Sequence, residues 1–184
     1  MNRDITIPGL ALAIGLSAVI AIPSTAFGQS VQGWTVPADR NEAADEIHER
    51  AAALYARPDK HEQAAHLLRQ ECELRSPEDP LTYRCLSMGA KLFYYAGELL
   101  DAQIMMEEAA KNALARGEVF RAAESYIEVA AIARKQKRQG PKARAFLEKA
   151  RLLTTSPLLG EPERSWLIAR VEAQTRAIVS AVDP

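Results

Sequence analysis

Aromatic residues are scarce in this chain of 184 residues: they make up 6% of it, although the hydrophobic fraction is 48%. Any core must therefore rest largely on alanine and leucine, and alanine favours helices because it loses no side-chain entropy in them. Neither Asn-Gly nor Asp-Gly occurs, and β-branched runs are confined almost entirely to the first 36 residues. A fold made of hairpins has little to start from. The chain also lacks a glycine-rich phosphate loop, a Gly-x-Ser-x-Gly elbow and a His-Glu-x-x-His pair. Its three histidines are His48, His61 and His66. The last two stand five apart, about 140° around a helix, which makes them a poor metal pair. Glu107 and Glu108 would diverge from a helix. No catalytic group, metal or cofactor is expected, and neither is an enzyme.

A large charge of one sign is missing too. The net charge is -1, which exerts no global pull on nucleic acid or an anionic membrane. The charge is nevertheless uneven. Residues 39–80 carry six basic and eleven acidic side chains, net -5, whereas residues 116–151 carry ten basic and four acidic, net +6. Solvated helix faces account for this, and so would docking end to end or with a partner.

Residues 1–28 read as a secretory signal peptide. Arg3 precedes an apolar stretch from Leu10 to Ile22, Pro23 breaks it, and the small residues Ala26 and Gly28 suit cleavage before Gln29 or after Ala26. The stretch is short for a membrane span of about 20 residues. An uncleaved anchor is the other reading, with Asp4 an oddity in either. The expected address is periplasmic or secreted, with no membrane insertion once the leader is removed.

Export bears on the two cysteines, Cys72 and Cys85. An oxidising compartment favours pairing them. Between them lies Ser76-Pro-Glu-Asp-Pro80, a tight helix–helix turn that would let the two positions face each other. Two free thiols buried in the helix interface are the alternative.

From Asp39 onward the pattern is helical with short breaks, and residues 29–38 serve as a linker. Asp39 with Glu42 caps a first helix to about Ala56, and Asp59 with Glu62 a second to about Leu74. Asp79-Pro80 opens a third helix that Gly97 ends. A fourth runs from Leu99 to Ala115, ended by Gly117; a fifth from Glu118 to about Lys137; a sixth from Lys142 to Leu153. After a linker, Pro162 opens the last, whose apolar stripe is Leu167, Val171, Ile178 and Val182. Connections this short demand antiparallel neighbours.

A small residue recurs one turn before a large apolar one: Ala64 before Leu68, Ala102 before Met106, Ala122 before Tyr126, and Ala143 before Leu147. Such an alanine lets two helices approach closely. Alanine spacing of this kind also suits any tightly packed bundle. In residues 83–115, Leu86, Ala90, Phe93, Gly97, Leu99, Ala102, Met106 and Ala109 resemble the packing positions of the tetratricopeptide repeat, a helix pair of about 34 residues. Ala52, Tyr55, Ala64 and Leu68 match more loosely before this unit, and Ala131, Ala143, Leu147 and Ala150 after it, where Arg134 stands in place of an aromatic. The resemblance implies an all-α, right-handed superhelical array: about three antiparallel helix pairs over residues 39–156 and a polar-faced capping helix within 157–184.

The same resemblance implies a concave groove lined by the first helix of each unit, holding a protein or peptide partner. In the best unit its positions are Arg84, Ser87, Lys91, Tyr94 and Tyr95; in the unit before, Glu46, Glu49, Ala53, Ala56 and Arg57. Arg84 and Lys91, seven apart on one helix face, can hold a carboxylate. Tyr94 adds contact area with a polar tip, and Tyr95 either joins it or packs in the core beside Phe93. A solvated face is the plainer reading of the same residues. The basic run Arg134-Lys-Gln-Lys-Arg138 with Lys142 and Arg144 has no interleaved aromatic for base stacking, so nucleic acid is not expected. It suits an acidic partner segment, an anionic surface or a solvated helix end. An exported interaction scaffold is the leading expectation. A structural or self-associating bundle without a groove is the rival, and a homo-oligomer is compatible with both.

Overall fold

The computed structural model describes residues 38–137 and 139–180, and within them the chain forms seven α-helices and no strand. They are α1 (Ala38–Ala52), α2 (His61–Leu74), α3 (Pro80–Ala96), α4 (Leu99–Ala115), α5 (Val119–Lys135), α6 (Gly140–Leu153) and α7 (Glu161–Val179), with a 3-10 turn at Pro58–Lys60. The signal peptide, Arg138 and Val182 fall outside the described residues.

Local chemistry explains most boundaries. Asp79 caps α3 by accepting from the Leu81 N–H at 2.8 Å, with Pro80 in the first turn, where its missing N–H is harmless. Gly97 (φ +90°) and Gly117 (φ +72°) close α3 and α4 in left-handed backbone that favours glycine. Behind them, Glu98 N–H donates to Phe93 O and Glu118 N–H to Ala113 O, both at 2.9 Å, so the two turns are alike.

Several expected boundaries move: Asp39, expected as a cap, lies inside α1, and α6 begins at Gly140 rather than Lys142. α1 stops at Ala52, not near Ala56. Leu54 and Tyr55 make tighter bonds back to Ala51 and Ala52, and Pro58 forces Arg57 into extended backbone (φ -110°, ψ 101°). Asp59 accordingly lies in the 3-10 turn and does not cap α2, which starts without a side-chain cap. α5 ends at Lys135 because Gln136 turns extended and its side chain crosses to α4, donating to Leu99 O (3.1 Å) and Gln103 Oε1 (2.9 Å).

Helices adjacent in sequence pack on one another from α1 to α7, and α7 also packs on α5. With connectors this short, neighbours run antiparallel. Side chains then tie alternate helices. On one side Tyr83 of α3 meets Ser125 of α5, and Glu128 of α5 pairs with Arg170 of α7. On the other, Arg69 of α2 pairs with Asp101 of α4 at 2.6 Å. The small residues sit where close approach needs them: Ala64, Ala102, Ala122 and Ala143 are all fully buried. Gly89 belongs with them, since a Cβ there would lie 2.6 Å from Met105 Cε and 3.4 Å from Leu68 Cβ. Phe93, Leu68, Met105 and Ile127 fill the space these small residues leave.

Cys72 of α2 and Cys85 of α3 are joined in a disulfide across the Ser76–Pro80 turn, with Cα atoms 5.9 Å apart. No helix among the described residues is long and apolar enough to cross a membrane.

α7 exposes Glu161, Glu163, Ser165, Glu172, Thr175 and Arg176, with an apolar line beside them. Leu167, Val171 and Ile178 are buried as the stripe requires, but Ile168 (41% exposed) and Val179 (51%) present apolar surface outward.

Candidate functional site

α3 presents one face between α1 and α5, because its opposite face, with Cys85, Leu86, Gly89, Ala90 and Phe93, is buried against α2 and α4. Most of the groove residues expected from the sequence lie on that presented face. Arg84 and Glu49 line one cleft of about 250 Å³ between α1 and α3, together with Asp45, His48 and Leu81. Ser87 and Lys91 line a second, of about 290 Å³, whose far wall is Phe120, Arg121, Glu124 and Glu128 of α5. Lys91 continues into a third, of about 320 Å³, with Tyr94, Tyr95, Glu128, Ala131 and Ile132. The seven-residue spacing of Arg84 and Lys91 thus puts Arg84 in the first cleft and Lys91 between the other two, on a single helix face.

Arg57 is not part of this arrangement. It stands exposed at the 3-10 turn and pairs with Asp59 at 3.3 Å. Ala53 and Ala56 are exposed in the same turn region, outside the three clefts, and Glu46 is exposed on α1.

Electrostatics distinguish the two cations from most charges around them. Among the described residues neither Arg84 nor Lys91 has an ion-pair partner, while Arg121 pairs with Glu118, Glu128 with Arg170, and Arg69 with Asp101. An unpaired cation beside a cleft wall is available to an incoming acceptor. The charge of Arg84 is felt nearby: burial pushes the Tyr55 hydroxyl up to about 12, the Glu71 carboxylate adds to that, and Arg84 opposes it. The Tyr55 oxygen itself is buried without a hydrogen-bond partner.

The two tyrosines separate. Tyr95 is 67% exposed and so is not core beside Phe93. Its ring lies 5.8 Å from His61 and 5.7 Å from Tyr94. Tyr94 is half-buried, and the Lys135 ammonium sits 4.5 Å over its ring and donates to its hydroxyl. The last turn of α5 therefore supplies part of the site, with Lys135 drawn from the basic run that begins at Arg134.

Sequence reasoning missed the α5 wall. Phe120, Arg121, Glu124 and Glu128 occur at helical spacing, but the register of the third unit could not be carried over from the resemblance. The sign that could have set it was the repeated Gly-Glu turn, Gly97-Glu98 and Gly117-Glu118. Beyond that wall, the Phe120 ring lies 5.5 Å from that of Trp166 of α7, tilted by 40°, and Arg170 lies 4.9 Å over the Trp166 ring.

No group of three His, Cys, Asp or Glu side chains among the described residues is placed to hold a metal ion. The burial-raised tyrosines Tyr55, Tyr83 and Tyr126 are protonated at neutral pH and do not converge on one cleft. What the face offers is two unpaired cations, a hydroxyl at Ser87 and two amphipathic rings, spread along one helix. No protein-family model, curated protein or solved structure matches the chain.

Proposed function

We propose that this chain is an exported protein–protein interaction scaffold. It is a tetratricopeptide-like superhelical array that holds a peptide or partner segment in the groove between α1, α3 and α5, and it works by binding rather than catalysis. One observation carries the reading: Arg84 and Lys91, both without ion-pair partners among the described residues, stand on the same face of α3 and line its clefts. The partner segment these cations suit is acidic, with an apolar side chain able to lie against Tyr94 and Tyr95. The leader-like start and the Cys72–Cys85 disulfide support an oxidising compartment as the place of action.

The test is affinity capture from the exported fraction with the wild-type chain and with Arg84→Glu/Lys91→Glu. Both residues are exposed, so helicity should be unchanged. The captured partner should be lost with the double variant. Equal capture by both proteins would remove the groove from the account.

A further inference from the structure

A second surface lies at the other end of the helix series, on the opposite side of α7 from Trp166 and Arg170. Between α6 and α7 a cleft of about 470 Å³ opens, with Ile168 and Val171 on its α7 wall. Ile168, Thr175 and Val179 are spaced seven and four apart and fall on one line of α7, separate from the buried line of Leu167 and Ile178. Leu152 and Leu158, each 71% exposed, add apolar surface at the C-terminal end of α6 and in the connector that follows. The surface of α7 that faces away from the buried stripe is polar, with Ser165, Glu172 and Arg176 exposed, so Ile168 and Val179 form a separate apolar line beside the cleft.

We propose that the α6–α7 cleft is a self-association surface that takes α7 of a second copy of this chain across a two-fold axis. The charges around the cleft argue for this occupant. Its rim carries Glu148 and Arg151 on α6 and Glu172 and Arg176 on α7, two acids and two bases, of which Glu172 and Arg176 form only an exposed pair at 3.8 Å that solvent screens. Such a rim is complementary to itself when turned through a two-fold rotation, so that a carboxylate of one copy meets a guanidinium of the other. The acidic α1 of another copy is a poorer fit. Its exposed side chains include Glu42, Asp45, Glu46 and Glu49, and its one large apolar residue, Ile47, is half-buried. Such a helix would place carboxylates against Ile168 and leave the apolar line of α7 without a counterpart. Two-fold pairing instead sets α7 against α7 with α6 outside each, a four-helix core closed by apolar residues from both copies. The groove on α3 is left open by this arrangement, so the dimer would present two of them.

The experiment uses the purified exported chain, with mass measured by light scattering over a wide concentration range. Wild type should be a dimer. Ile168→Glu should be a monomer with unchanged helicity. If that variant fails to fold, Thr155→Glu, at an exposed position on the rim, carries the test and should also lose the dimer. Arg84→Glu/Lys91→Glu should remain dimeric, which separates this surface from the groove. The chain has only the two bonded cysteines, so Thr175→Cys introduces a single thiol, and mild oxidation should give a covalent dimer through residue 175 of both copies. Each of three results would overturn the proposal: a wild-type monomer at every concentration, a dimer that persists in both glutamate variants, or an open-ended series of oligomers.

Discussion

Glu71 in the last turn of α2 and Arg75, the residue that ends that helix, form an ion pair of 2.7 Å with side chains only 1% and 3% exposed. Arg75 also reaches Asp45 of α1 at 2.6 Å and Asp79, the cap of α3, at 3.2 Å, so one guanidinium joins three successive helices. Burial pushes this guanidinium down, but its hydrogen bonds to Asp45, Glu71 and Asp79 outweigh burial and hold it above the ordinary value. The other oxygen of Glu71 lies 2.8 Å from His48 Nδ1 of α1.

Glu71→Ala would leave the Arg75 charge buried without its one fully buried partner, at a cost of about 3–5 kcal/mol. Asp45→Ala removes a partner whose side chain is 65% exposed, and should cost about 1 kcal/mol or less. Urea unfolding of both variants gives the two values. Equal losses would mean that the interior pair is no more important than the exposed one.

The Cys72–Cys85 disulfide closes a loop with a sequence separation of 13. By the loop-entropy argument it stabilises the fold by about 2–3 kcal/mol. Cys72→Ser/Cys85→Ser should melt at lower temperature than the wild type, and reductant should lower the wild-type transition toward that of the variant. Reductant should leave the double variant unchanged. A wild-type transition insensitive to reductant would show that the bond constrains the unfolded chain little.

The legible parts of the fold were those written in local chemistry. Asp79-Pro80, Gly97 and Gly117 each act within their own turn, and each ends or begins a helix where the sequence places it. The recurring alanines were legible for the same reason, since helical spacing shows which residues share a face. Relations between distant residues were not. Nothing local to Glu71 or Arg75 marks them as interior, because charged residues on a helix ordinarily face water. Gly89 within α3 reads as a weak point until Met105 is seen against it. On α7 the buried stripe is easily read, while a second apolar line at Ile168 and Val179 is diluted by Glu172 and Arg176 between them. Arg84, Ser87, Lys91, Tyr94 and Tyr95 could be grouped from the sequence because they lie on one helix. The α5 wall required the offset between two helices, which spacing along a single chain does not contain.

The close helix approach at Ala102 has its own test. Ala102 is fully buried at the start of α4, and Ala102→Trp cannot be housed unless α4 moves away from its neighbours. The cost should exceed about 3 kcal/mol, the upper end of ordinary overpacking, and the variant should lose cooperative thermal unfolding by circular dichroism. The exposed Ala53→Trp is the control and should melt like the wild type. An Ala102→Trp protein that melts with the control would refute the assignment of this alanine to the helix interface.

Alkaline pH should unfold the protein through its buried tyrosines. Burial raises Tyr55 to about 12 and also raises Tyr83 and Tyr126, against an ordinary value of 10.0. Below that ordinary value all three are protonated whether the chain is folded or not, and their contribution to stability is complete. Above it, the unfolded chain releases protons that the folded chain keeps, so stability falls as pH rises toward the folded value. Tyrosinate absorbance followed alongside circular dichroism should show part of the ionisation delayed until the helices melt. Tyr55→Phe removes a buried hydroxyl that has no hydrogen-bond partner, so it should not weaken the fold at neutral pH. It should also shift the alkaline midpoint to higher pH. An unshifted midpoint, with all five tyrosines ionising together before the helices melt, would mean that the Tyr55 hydroxyl is open to water.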